Sequence, residues 1–191
     1  MRSRKRQKPE LGIVQKKDAC LVIIDVQERF RDALPEFGRT TDNIRRLAQA
    51  FRLLGVPVIV TEQNPEKLGV TVAEISDALG NFRPVAKMHF SCCGEKAFMG
   101  EIRKTRAKDI ILCGLETHVC VLKTALDLMN SGHRVHVVCD AVSSRKAKDT
   151  EVALRRLVHS GAFLATTESI IFQLIEKAGT EEFKQIFQLI K

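Results

Sequence analysis

The sequence contains no tryptophan and no tyrosine, so the stacking surfaces on which nucleic-acid binders lay out bases are scarce. No stretch approaches the roughly 20 consecutive apolar residues of a membrane span, and the first residues, MRSRKRQKPELGIVQKK, lack the apolar run of a signal peptide. The six cysteines form no C-x-x-C pair, and three of them fall in apolar, strand-like runs where they act as small hydrophobes. That excludes a disulfide framework and fits a reducing compartment. His118 and Cys120 make a His-x-Cys pair without a second half at zinc spacing. The expectation is a soluble, cytoplasmic protein with no membrane partner.

Apolar residues make up 45% and charged residues 28% of the 191 positions, an ordinary globular composition for a chain of one-domain size. The formal charge of +8 invites a nucleic-acid partner, but residues 1–17 hold seven basic side chains and one acidic one, so the remaining 174 carry only about +2. Residues 1–17 therefore read as a basic, flexible N-terminal extension, residues 18–191 as a single domain, and a nucleic-acid partner is not expected.

Short β-rich apolar runs alternate with helical periodicities, the pattern of a parallel sheet covered on both faces. Strands are predicted at residues 19–26, 56–62, 84–88, 109–114, 134–141 and 162–166. Helices are predicted from about Thr41, over residues 72–79 and 118–130, after the candidate caps Ser143 and Ser144, around residues 170–175, and from Thr180. No element is assigned between residues 88 and 109.

In an open α/β sheet, ligands sit beyond the carboxyl ends of the strands. Asp25 ends the first predicted strand, Glu62 the second and Lys87 the third, while Cys120 falls on the first helical turn after the fourth. A thiol there faces the positive end of the helix dipole, and a neighbouring lysine adds to that field; both favour the thiolate. A carboxylate within reach can take the thiol proton and pass it to a leaving group. Taken singly, each residue also has a blander role: Asp25 and Glu62 as loop caps, Lys87 as a solvated cation, Cys120 as a core thiol. Asp140 ends the fifth strand beside an ordinary turn and is left out.

The blocks LVIIDVQERF, VTEQNPEKLGVT, AKMHFSC, LCGLETHVCV, TALDLMNSG, VHVVCDAVSSR and SGAFLATTESIIFQLI follow one another in an order that resembles the isochorismatase-like cysteine hydrolase superfamily, nearest to its isochorismatase domain-containing subgroup. The likeness covers residues 18–191. It implies a single-domain, three-layer α/β/α fold with a mostly parallel six-stranded sheet, a Rossmann-like arrangement. It also implies an acid–lysine–cysteine triad on Asp25, Lys87 and Cys120, a cis peptide between Leu115 and Glu116, and an oxyanion hole from the N–H groups of Glu116 and Cys120. Gln27, Glu62 and Phe90 are candidates for lining the substrate pocket. A homo-oligomer is implied as well, with a neighbouring subunit helping to close the pocket.

Metal-dependent members of that superfamily carry an aspartate and two histidines in the loop after the second strand. QNPEKLGVT has neither, so no metal and no cofactor are expected. Members that cleave a vinyl ether lack the cysteine, so its presence points to thiolate chemistry on a carbonyl carbon. The expected function is a metal-independent cysteine hydrolase that opens a small non-peptide amide or related C–N bond through a thioester. The alternative is a non-catalytic interaction protein that keeps the fold.

Overall fold

The computed structural model describes residues 11–191; the basic residues 2–8 lie outside the described residues. Six strands, β1 (Ala19–Ile24), β2 (Val58–Gln63), β3 (Val85–Lys87), β4 (Asp109–Leu115), β5 (Arg134–Ser143) and β6 (Phe163–Ala165), form one sheet in the order β3-β2-β1-β4-β5-β6. Every adjacent pair is parallel. Among the described residues eight α-helices cover it: α1 (Phe37–Leu53), α2 (Pro65–Leu68), α3 (Ala73–Leu79), α4 (Lys96–Thr105), α5 (Leu122–Asn130), α6 (Ala147–His159), α7 (Thr167–Leu174) and α8 (Glu181–Ile190).

β1 shows how the sequence builds the layers. All six of its residues are buried, and successive side chains of a strand point to opposite faces. Leu21 and Ile23 join one apolar core with Ile44, Leu47 and Phe51 of α1 and with Ile170 of α7. Cys20, Val22 and Ile24 join the other, with Phe98 and Ile102 of α4, Ala125 and Leu128 of α5 and Leu157 of α6. A continuous run of apolar residues is what a strand packed on both faces requires. The order of strands reverses between β1 and β4, and the crevice beyond their carboxyl ends is where such sheets bind ligands.

The structure departs from the sequence reading at several boundaries. α1 begins at Phe37, one turn before Thr41; Phe37 is buried, and so is Thr41, which caps nothing. α4 was not predicted at all, because only Phe98 and Ile102 of its ten residues are buried and no side chain caps its start. Ser143 ends β5 and α6 starts only at Ala147, so neither Ser143 nor Ser144 caps it. The cause is a bulge: Val137 lies opposite Leu112, yet Val142 lies opposite Gly114. Asp140 in that bulge accepts from the Thr167 N–H at 2.8 Å and hydroxyl at 3.0 Å, tying down the start of α7. At the other end, Val14 is buried in the first core and its N–H donates to Gln173 Oε1 at 2.9 Å, so ordered packing starts before residue 18.

Gly114 lies opposite Ile24 at the reversal point, with φ of +117°. A Cβ there would run into the Ile24 carbonyl oxygen and lie 2.6 Å from the Ile24 nitrogen, both of them backbone atoms that cannot swing aside. Gly114→Ala is therefore expected to cost on the order of 3 kcal/mol or more, read as a lower urea midpoint. A loss under about 1 kcal/mol would mean that the two strands separate freely at this point.

Candidate active site

Three side chains from three strand ends meet in the crevice. Asp25 follows β1 in the left-handed region, with φ of 55°, a conformation that a short polar side chain tolerates. Lys87 is the last residue of β3, and its side chain runs inward from that edge strand. Cys120 lies on a wide π-helical turn, Thr117–Val121, that joins β4 to α5, and it is 7% exposed. The Leu115–Glu116 peptide that leads into this turn is cis.

Lys87 Nζ lies 2.7 Å from Asp25 Oδ2, and both side chains are fully buried. The same ammonium reaches Gln63 Oε1 at 2.6 Å, the carbonyls of His89 and Phe90 at 3.2 and 3.4 Å, and Cys120 Sγ at 3.6 Å. The other carboxylate oxygen, Asp25 Oδ1, accepts from Thr61 Oγ1 at 2.7 Å. Behind them the thiol of Cys92 donates to Thr61 Oγ1 at 3.8 Å.

Burial dominates the protonation of these groups. It raises the Asp25 carboxyl above its usual value, against the pull of Lys87. Desolvation works against the Lys87 ammonium, but the attraction of Asp25, with the two sulfur sites behind it, outweighs that and the net shift is upward. The Cys120 thiol is pushed up to about 12, first by burial and then by the Asp25 charge, with Lys87 opposing. Burial and the Asp25 charge thus work against the preformed thiolate expected from the sequence, while Lys87 works for it. Cys92 is raised to about 11 for the same reasons.

The three candidate pocket residues fare differently. Gln27 is buried and spends its amide on backbone: Nε2 donates to the carbonyls of Gln63 and Gly69 at 3.1 and 2.6 Å, and Oε1 accepts from the Gln63 N–H at 2.8 Å. Glu62 points to the opposite side of β2, where Oε1 accepts both the N–H and the hydroxyl of Thr71 at 2.7 Å. Both fasten the loop after β2 with these side-chain bonds. Only Phe90 is open, 56% exposed on the loop that follows Lys87.

Glu116 begins the π turn. Its carbonyl accepts from Val119 at 3.1 Å and Val121 at 3.2 Å, the amides on either side of Cys120, whose own N–H is not among them. Its carboxylate holds the N–H and guanidinium of Arg145 at 3.2 and 2.9 Å. Thr61 and Gln63 were missed in the sequence. The signal was available: in T-E-Q at the end of a strand, the first and third residues share a face, and here that face carries the site.

The isochorismatase domain family model matches residues 19–169. Isochorismatase domain-containing protein 2A of Mus musculus is 44% identical over 182 residues, spanning 95% of this chain and 86% of the mouse protein. The secreted isochorismatase effector Isc1 of Phytophthora sojae is 41% identical over 190 residues, spanning 95% of this chain and 88% of that one. Among solved structures, the MAR1 ribonuclease of Caenorhabditis elegans superposes with a TM-score of 0.87 at 36% identity, covering 93% of this chain and 91% of its own. The chain belongs to the isochorismatase family.

Removing one partner of a buried ion pair strands the other charge. Lys87→Met is expected to cost about 3–5 kcal/mol near pH 8. Burial already raises Asp25, and losing Lys87 raises it further, so the stranded carboxyl takes up a proton as pH falls and the cost shrinks toward pH 5. Urea unfolding at the two pH values, with the Asp25→Asn/Lys87→Met double variant as reference, checks this. The double variant should lose less than Lys87→Met alone near pH 8; equal, pH-independent losses would contradict the pairing.

Proposed function

We propose that this protein is a cysteine hydrolase that opens a small, non-peptide amide or related C–N bond through a thioester on Cys120, with no metal or cofactor in the step. The observation that carries this reading is one ammonium lying 2.7 Å from a buried carboxylate and 3.6 Å from a sulfur. As the sulfur attacks the carbonyl carbon, Asp25 takes its proton, and Lys87 stabilises the thiolate character that develops. A carboxylate whose proton affinity is raised by burial is a better base for this transfer than a free one.

The carbonyl π bond opens onto oxygen, and the N–H groups of Glu116 and Cys120 receive that oxyanion at the start of the π turn. When the C–N bond breaks, Asp25 returns the proton to the departing nitrogen. Water then attacks the thioester with Asp25 again as base, and the thiol is restored. Cys120 is only 7% exposed, which favours a small substrate. Val70, Met88 and Phe90, each more than half exposed, support a homo-oligomer in which a neighbouring copy covers these loops. The six free cysteines support a reducing compartment, although one relative is named a secreted effector.

A second reading, ribonuclease action, draws on the name of the nematode protein, which is 36% identical. The triad favours acyl transfer, since a thiol attacks carbonyl carbon more readily than phosphorus, and the sequence holds no tryptophan or tyrosine on which bases could stack. Incubation with a panel of amides, ureides and hydroxamates, read by intact mass and peptide mapping, should give an acyl adduct on Cys120. Asp25→Asn should slow adduct formation by about 10²–10⁴-fold, the usual worth of a general base. A labelled RNA serves as the opposing arm. No adduct from any of the compounds, together with RNA cleavage lost in Cys120→Ala, would transfer the case to the second reading.

A further inference from the structure

We propose that Gln63 is the positioning residue for Lys87, and that its side chain has to be neutral for the ammonium to act on Cys120. The inference rests on the role given to Lys87 above. Gln63 Oε1 makes the shortest contact of the ammonium, 2.6 Å, and Gln63 Nε2 donates to the Met88 carbonyl at 2.9 Å. The amide is thereby held at both ends, with its oxygen toward the lysine. Its backbone is held as well: Gln27 bonds the N–H at 2.8 Å and the carbonyl at 3.1 Å, and Gln63 pairs with Lys87 across β2 and β3. A chain of contacts thus runs from Gln27 through Gln63 to the lysine, which gives the otherwise structural Gln27 a place behind the site.

The proton count explains why the acceptor is neutral. An ammonium has three N–H bonds. One faces Asp25 and one faces Gln63, which leaves the third for the His89 and Phe90 carbonyls and the sulfur at 3.6 Å. An amide oxygen takes its share without cancelling charge. A second carboxylate at the same place would leave the cluster of two carboxylates and one ammonium net negative beside the sulfur, making its proton harder to remove.

The test uses the full chain and a small alkylating probe, iodoacetamide, with the rate at each cysteine followed by peptide mapping between about pH 7 and 9. Cys93 and Cys139, both partly exposed, serve as internal controls. Gln63→Glu, nearly the same shape, should slow alkylation of Cys120 about tenfold at fixed pH, the equivalent of one pKa unit. Gln63→Met, with no acceptor, should slow it in the same direction, while the controls keep their rates. Two results overturn the proposal: an unchanged Cys120 rate in both variants, or a joint acceleration of all three cysteines, which would mark Gln63 as merely structural. Alkylation needs no substrate, so absence of an acyl adduct with every amide would count against the hydrolase reading and leave this assignment standing.

Discussion

Lys87 and Asp25 face each other at 2.7 Å with neither side chain exposed, and the site is arranged to keep that pair in place. Taking two charges out of water costs several kcal/mol per ion even after relaxation, and their mutual attraction offsets this only if the remaining protons and lone pairs are also occupied. Thr61 occupies one carboxylate oxygen, and Gln63 with two loop carbonyls occupies the ammonium. The groups that do so come from β2 and from the loop after β3, while the pair itself joins the ends of β1 and β3. A pair of this kind adds little net stability, but it demands one arrangement of three chain segments. That is what a site assembled from separated strand ends needs.

The consequence for the sulfur is less intuitive. A cation 3.6 Å away and a helix start suggest a standing thiolate, yet Cys120 is 7% exposed and the nearest anion is the carboxylate that pairs with the same lysine. Burial and that anion together hold the thiol at about 12. In the proposed mechanism, reactivity therefore depends on proton transfer to Asp25 during attack. A protonated thiol is also less open to oxidation and alkylation, because thiolate is the reactive form. It also explains why the neutral amide of Gln63, and not a carboxylate, stands beside the lysine.

Much of this was legible in the sequence. The run ACLVIIDV suits a strand packed on both faces, and the expected convergence of Asp25, Lys87 and Cys120 beyond the ends of the first, third and fourth strands follows from the rule for open α/β sheets. The order of the motif blocks identified the family, and the family model and the sheet agree with that. What could not be read was long-range. α4 buries two residues of ten, too few for periodicity to register, and the bulge in β5 depends on its register with β4. Gln27 and Glu62 carry the polar character of pocket residues, but their partners lie in a loop 42 and 9 residues further on. The surroundings of Cys120 were only half legible, since its local position favours the thiolate while tertiary burial opposes it.

Direct observation of the charges provides the sharpest test. The ¹⁵N shift of Lys87 Nζ and the ¹³C shift of the Asp25 carboxyl can be followed in one pH titration of the full chain. A buried pair predicts an ammonium that persists through neutral pH and a carboxyl that protonates above 3.8. A neutral Lys87 amine at pH 7, or an Asp25 that titrates at or below 3.8, would contradict the account.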